Sequence, residues 1–155
     1  MLIIVNPSAA KARRAWPIIK RQLDSAGLTY ETYETTSPGD ATIKTRAALE
    51  SGVESVVVVG GDGTLSEAAE GFFRFNDDLD IPPASINPSA TLAILPAGTG
   101  DDFARGLRRK RSPLQHWIQT LVTHRTQTVD VLYGRCNDYE KPFICLNAST
   151  MGIGG

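Results

Sequence analysis

At 155 residues with 41% hydrophobic content, the chain has the length of one ordinary domain and enough apolar side chains to bury a sizeable core. Its 16 Lys and Arg nearly balance 17 Asp and Glu, so no global field draws it to nucleic acid or to an anionic membrane. Two distant cysteines, Cys136 and Cys145, with no CxxC pair, exclude a disulfide framework and a zinc motif and favour a reducing, cytoplasmic setting.

The first apolar run, Leu2 to Val5, is followed by Asn6, Pro7, Lys11, Arg13 and Arg14, the reverse of a signal peptide's order of charge before apolar run. No apolar stretch nears the length of about 20 residues that a membrane span needs. Ala12, Ala15, Trp16, Ile19, Leu23 and Ala26 recur at helical spacing, and Gly27 stands where that helix stops. A strand over Thr29 to Thr35, a turn at Ser37, Pro38 and Gly39, and a helix from an Asp40 N-cap to Gly52 come next. Val56 to Val59, β-branched on every side, reads as a central strand covered on both faces.

After a loop with Pro82, Pro83 and Pro88, a further strand, Leu92 to Leu95, leads into a second glycine turn and a helix over Asp102 to Leu107. The basic segment Arg108 to Arg111 reads either as a solvated helix end or as a contact for anionic headgroups. Ser112, Pro113 and Gln115 then form a capping-box start for a helix with a buried stripe of Leu114, Trp117, Ile118, Leu121 and Val122. Trp16 and Trp117 fall on apolar stripes and read as core, while His116 and His124 lack partners at metal-ligand spacing.

From Thr126 the alternation ends, and Thr128 to Tyr133 and Phe143 to Ala148 read as two successive strands. The pattern predicts an α/β fold, a mostly parallel sheet with helices on both faces and ligands beyond the carboxyl ends of the strands. Residues 1–125 form this domain, and residues 126–155 begin a β-rich second one, so the chain reads as a fragment.

Two loops carry the chemistry. Gly60, Gly61, Asp62, Gly63 and Thr64 follow the valine strand, and their glycines let main-chain N–H groups approach an anion at a helix N-terminus. A capping box of Thr64 and Glu67 accounts for those two residues without any ligand, but leaves Asp62 unexplained. The second loop, Pro96, Ala97, Gly98, Thr99, Gly100 and Asp101, opens the helix with Asp102, Phe103, Ala104 and Arg105. Neither loop has a Walker A lysine or a GxGxxG fingerprint. Valine at Gly61 or Gly98 is expected to obstruct phosphate while leaving the fold largely intact.

Together these loops resemble the diacylglycerol kinase catalytic domain, whose pattern has GGDGT with a nearby Glu and a later P-x-G-T-x-N-D-F-A-R block. Asn6, Pro7 and Ser8, the Thr35 to Ala41 turn, Asp130 and Asn147 add to the likeness. GGDGT is shared with NAD kinases and, altered, with phosphofructokinases; the second block selects the lipid kinase branch. Two positions depart from the family, Asp101 and Ser66, each where Asn is usual.

The resemblance implies an NAD kinase/phosphofructokinase-like fold that holds ATP with magnesium and transfers phosphate to a lipid acceptor at the inner membrane surface. Diacylglycerol, a sphingoid base and phosphatidylglycerol all stay open as acceptors, as does a homodimer. It further implies that Asn6, Thr35, Gly60, Gly61, Asp62, Gly63, Thr64, Glu67, Gly98 and Thr99 line the ATP site, with Asp62 catalytic. A further acid belongs to the second domain, so residues 1–155 are expected to bind nucleotide without transferring phosphate. An NAD kinase-like enzyme and a non-catalytic nucleotide-binding module remain the alternatives.

Overall fold

Short runs of valine, isoleucine and leucine that are apolar on both faces form the middle of a parallel sheet, the strands being linked by helices, and the polar segment Glu31 to Glu34 serves as an edge strand. The structure, a computed structural model, describes residues 1–78, 80–107, 112–135 and 142–146. Strands β1 (Leu2–Val5), β2 (Glu31–Glu34), β3 (Ser55–Gly60) and β6 (Thr91–Pro96) lie in the order β2-β1-β3-β6. All neighbours are parallel, with Val5 opposite both Glu34 and Val59, and Val59 opposite Leu95. Ile3, Ile4 and Val56 to Val59 are wholly buried, as the unbroken apolar run predicts.

Helices α1 (Ala10–Ser25) and α5 (Leu114–Val122) pack together, as do α2 (Asp40–Glu50) and α3 (Asp62–Glu70), and these helices cover the sheet on both faces. Helix α1 buries Ala12, Ile19 and Leu23, spaced for one face, and carries Pro17 on its exposed side, where the Arg13 carbonyl that loses its i+4 donor can meet water. Helix α5 buries Trp117 and Ile118 as predicted, but its N-cap is Pro113 with no side-chain cap bond. Ser112 lies one position too early to close the expected box.

The strand expected over Thr29 to Thr35 pairs only at Glu31–Glu34, because β1 offers four residues to pair with. Inside the proline-bearing loop, β4 (Phe73–Arg74) and β5 (Ala84–Ser85) form a short antiparallel pair that periodicity could not reveal at that length. After the six-residue helix α4 (Asp102–Leu107) and then α5, strands β7 (Leu132–Gly134) and β8 (Phe143–Cys145) make a separate antiparallel sheet. Helix α3 packs against β8, where Ile144 is buried. Arg108 to Arg111, Cys136, Asn147, Ala148 and Met151 to Gly155 lie outside the described residues.

Between α2 and α3 the packing leaves the Thr45 hydroxyl wholly buried with no hydrogen-bond partner. Thr45→Val keeps the shape and removes that cost, and is expected to raise stability by about 1 kcal/mol. A urea midpoint that falls would count against this account.

Candidate functional site

The chain runs from β1 outward to β2, then crosses to β3 on the other side, so the direction of travel reverses between β1 and β3. In open parallel sheets that reversal leaves a crevice at the carboxyl ends. Asn6 follows β1 there and Gly60 ends β3. The amide of Asn6 donates to Val59 O at 3.2 Å, and that of Ala97 to Gly60 O at 2.9 Å, so the sheet ladder runs straight into the loops.

Asn6 turns on itself, accepting from the Ser8 amide at 3.0 Å, and its Nδ2 donates to Thr64 Oγ1 at 3.0 Å across the crevice. The capping box expected of Thr64 and Glu67 does not form. Helix α3 begins at Asp62 after an N-cap at Gly61, which has no side chain to cap with, and Thr64 lies inside the first turn with its side chain packed on Gly60. The first bond of the helix is Leu65 N–H to Gly61 O at 3.1 Å. Among the described residues, the amides of Asp62, Gly63 and Thr64 therefore meet no acceptor. Uncapped first-turn donors at a helix N-terminus favour an anion.

Gly61 and Gly98 bring the two loops into backbone contact. A Cβ at Gly98 would lie 2.5 Å from Gly61 Cα and 2.6 Å from an Asp101 carboxylate oxygen. Valine at position 98 therefore collides with the opposite loop, which corrects the expectation that it would block only a ligand. Asp62 supplies the second tie, its Oδ2 accepting from the Asp102 amide at 2.9 Å and its Oδ1 from the Phe103 amide at 3.1 Å. Asp101 has φ 53°, a left-handed conformation that Asn and Asp tolerate best among residues with a side chain, and its Oδ1 accepts from the Gly98 amide at 2.8 Å. The departure from the family's Asn thus preserves the turn and adds a charge.

Thr35 is buried at the end of β2, its amide donating to Val5 O at 2.9 Å. The turn beyond it is held by Asp40, which stands at the first position of α2 after Gly39 at φ 87°, not at the N-cap. Its carboxylate accepts from the amides and hydroxyls of Thr36 and Ser37 at 2.6 to 3.0 Å. Those bonds, led by the Thr36 amide, hold the Asp40 carboxyl well below the usual carboxylate range. A depressed pKa stabilises the fold above the ordinary value near 3.8 and loses that contribution as pH falls below it. Accordingly, the stability gap between the protein and Asp40→Asn is expected at pH 7 and should narrow as urea midpoints are taken below about pH 4.

Glu67 enters the site region through its main chain, whose carbonyl accepts from Thr42 Oγ1 at 2.9 Å and fixes α3 on α2. Gly98 and Thr99 line a groove of about 710 Å³ that the other expected residues do not reach. Its walls are the outer face of α1, the second loop, α4 and Trp117 of α5, and it gathers Lys11, Arg14 and Arg105. Lys11 Nζ donates to Gly98 O at 3.0 Å, and Arg105 pairs with Asp102. Lys11 and Arg14 are not among the residues expected at the site; their spacing of three on the helix that follows β1 is the signal in the sequence that points to them.

The free amides at the start of α3 suit a phosphate, and the groove beside them, across the Gly61–Gly98 contact, gathers three cations. A protein-built metal cage is another matter, since among the described residues no three His, Cys, Asp or Glu side chains gather to hold an ion. Magnesium fits as an ion that arrives on the phosphates and meets one or two carboxylates, its usual manner of binding. Among the described residues no helix is long and apolar enough to cross a membrane.

Residues 1–133 match the sequence model described as the diacylglycerol kinase catalytic domain. The chain belongs to that family. A diacylglycerol kinase of Staphylococcus carnosus (strain TM300) is 34% identical over 131 residues, covering 83% of this chain and 39% of the relative. A protein of Xanthomonas euvesicatoria pv. vesicatoria (strain 85-10) named "Probable lipid kinase YegS-like" is 35% identical over 133 residues, covering 85% of this chain and 40% of its own length. The crystal structure of a diacylglycerol kinase from Bacillus anthracis str. Sterne matches with a TM-score of 0.63 at 28% identity, over 84% of this chain and 45% of that one. The chain thus spans about two fifths of the length of these curated relatives. As a diacylglycerol kinase family member with a parallel sheet between helices, it has the predicted fold class, and the lipid kinase branch chosen from the second loop is borne out.

Proposed function

We propose that this chain is the nucleotide-binding part of an ATP-dependent lipid kinase that moves the γ-phosphoryl group of magnesium-bound ATP to a lipid hydroxyl such as that of diacylglycerol. The carrying observation is the uncapped first turn of α3 at the crevice between β1 and β3, with three amides free to meet phosphate. In this reading Asn6, Thr35, Gly60, Gly61, Gly63, Thr64, Glu67, Gly98 and Thr99 surround the nucleotide, and Asp62 is the carboxylate nearest the transferring group. Phosphoryl transfer asks the protein mainly for placement and charge neutralisation, both of which these loops can supply.

The reading further takes residues 126 onward as the start of a second β-rich unit that completes the acceptor pocket. Transfer needs the acceptor oxygen held in line with the γ-phosphate, and a misplacement of about 1 Å can cost on the order of a hundredfold in rate. Residues 1–155 alone are therefore expected to be thermally stabilised by Mg-ATP and not by NADH, while incorporating no radiolabelled phosphate into a mixture of lipids. A longer protein that includes the second unit should label one lipid of the mixture. Stabilisation by NADH equal to that by Mg-ATP, or labelling of NAD in place of lipid, would overturn the proposal.

A further inference from the structure

The aspartate of the first loop has a task in the structure that phosphoryl transfer does not require of it. We infer that Asp62 is a positioning residue: its carboxylate caps α4 across a separation of forty residues and so holds the second glycine loop against the first before any ligand arrives. Both oxygens are engaged, with Asp102 at 2.9 Å and Phe103 at 3.1 Å. These are the first two amides of α4, orphan donors of its first turn, of which an N-cap side chain of the same helix would ordinarily satisfy only one. The residue at that cap position, Asp101, is turned away with φ 53° and accepts from Gly98 instead. The cap therefore comes from the other loop.

The geometry explains why the pair of contacts works as a unit. Gly61 and Gly98 touch backbone to backbone, and a Cβ at Gly100 would lie 3.4 Å from Asp62 Oδ2, so the second loop is folded closely around the aspartate. Arg105 lies on α4 and Thr99 on the loop before it, and both line the cationic groove. Their distance from the free α3 amides is thus set by the clasp. Asn at position 62 keeps one acceptor but presents an NH2 group to the second amide, a donor facing a donor. The consequence for ligand binding rests on the nucleotide reading above, whereas the clasp itself does not.

Residue-resolved amide exchange without nucleotide or magnesium tests the clasp directly. In the unaltered protein the Asp102 and Phe103 amides should exchange at least tenfold more slowly than those of Leu114 and Gln115, which open α5 with no side-chain cap. Equal exchange would overturn the inference, and this measurement needs no variant. In Asp62→Asn, exchange over residues 102–106 should rise at least tenfold while residues 40–50 stay unchanged; no selective rise would equally overturn it.

Mg-ATP dissociation constants, taken well below the melting point of the weakest variant, then separate positioning from mere stability. Asp62→Asn and Gly98→Ala should each weaken binding at least tenfold, and the double variant should be within about twofold of the weaker single one, because both open the same joint. Multiplicative losses, or single variants that lower the melting point with unchanged affinity, would reduce Asp62 to separate or purely structural roles. Failure of the unaltered protein to bind Mg-ATP would instead refute the nucleotide reading and leave the exchange result to decide the clasp.

Discussion

Gly98→Val is expected to cost about 3 kcal/mol of stability and to abolish stabilisation by Mg-ATP, whereas Gly63→Ala should abolish the second while leaving the fold intact. The contrast comes from what a new side chain meets. At Gly98 the first carbon already lies 2.5 Å from the Gly61 backbone and 2.6 Å from the Asp101 carboxylate, and backbone on the opposite face cannot swing aside. The loops must part, and Asp62 and the α4 amides part with them. Gly63 is exposed in the first turn of α3 with nothing within 4 Å of an added Cβ. Alanine there should gain about 0.5 kcal/mol from reduced chain entropy. If its methyl nonetheless suppresses the thermal shift with Mg-ATP, the glycine is kept for an anion at the helix N-terminus. An undiminished shift in Gly63→Ala would place the phosphate elsewhere, and a normally stable Gly98→Val would refute the close contact of the loops.

The second large effect is expected far from the site. Gly71→Ala should lower stability by about 3 kcal/mol, since the added carbon would lie 2.6 Å from the Thr42 carbonyl oxygen and 2.6 Å from Thr45 Cβ. Gly71 ends α3, and the contact with α2 holds α3, and with it the anion-facing first turn, on the sheet. Neither neighbour can yield cheaply: one is helix backbone, and the other is a β-branched, wholly buried side chain. Chemical denaturation should show the loss, and Thr45→Ala in the same chain should restore part of it by removing one of the colliding groups. A Gly71→Ala variant as stable as the unaltered protein would mean that α2 and α3 pack less closely than described.

Much of this was legible in the chain itself. The valine run at 56–59 is apolar on both faces and so had to become a covered central strand, and glycine turns at the ends of two strands marked the edge where a ligand belongs. The family followed from the second block, with its Pro96, Gly98, Thr99, Asp102, Phe103 and Arg105. Capping failed as a local inference at three places. Thr64, Asp40 and Ser112 all had suitable side chains, yet the helices begin at Asp62, Asp40 and Leu114 with Gly61, Gly39 and Pro113 at the caps. A cap is fixed by where the backbone enters the helix, and at these ends that was set by contacts with other parts of the fold or by the special torsions of glycine and proline.

The amino-acid sequence by itself determined the parallel α/β architecture, the kinase family and the two glycine loops, because periodicity, glycine placement and local charge are properties of neighbouring residues. Only the tertiary structure decided that Asp62 caps a helix forty residues away, that Gly98 is required by Gly61, and that Lys11 and Arg14 join Arg105 around one groove. These relations depend on the order β2-β1-β3-β6, which places the ends of β3 and β6 side by side, and on the packing of α1 against β3. Distances between residues far apart in the chain exist only once the strands have paired, and no local pattern encodes them.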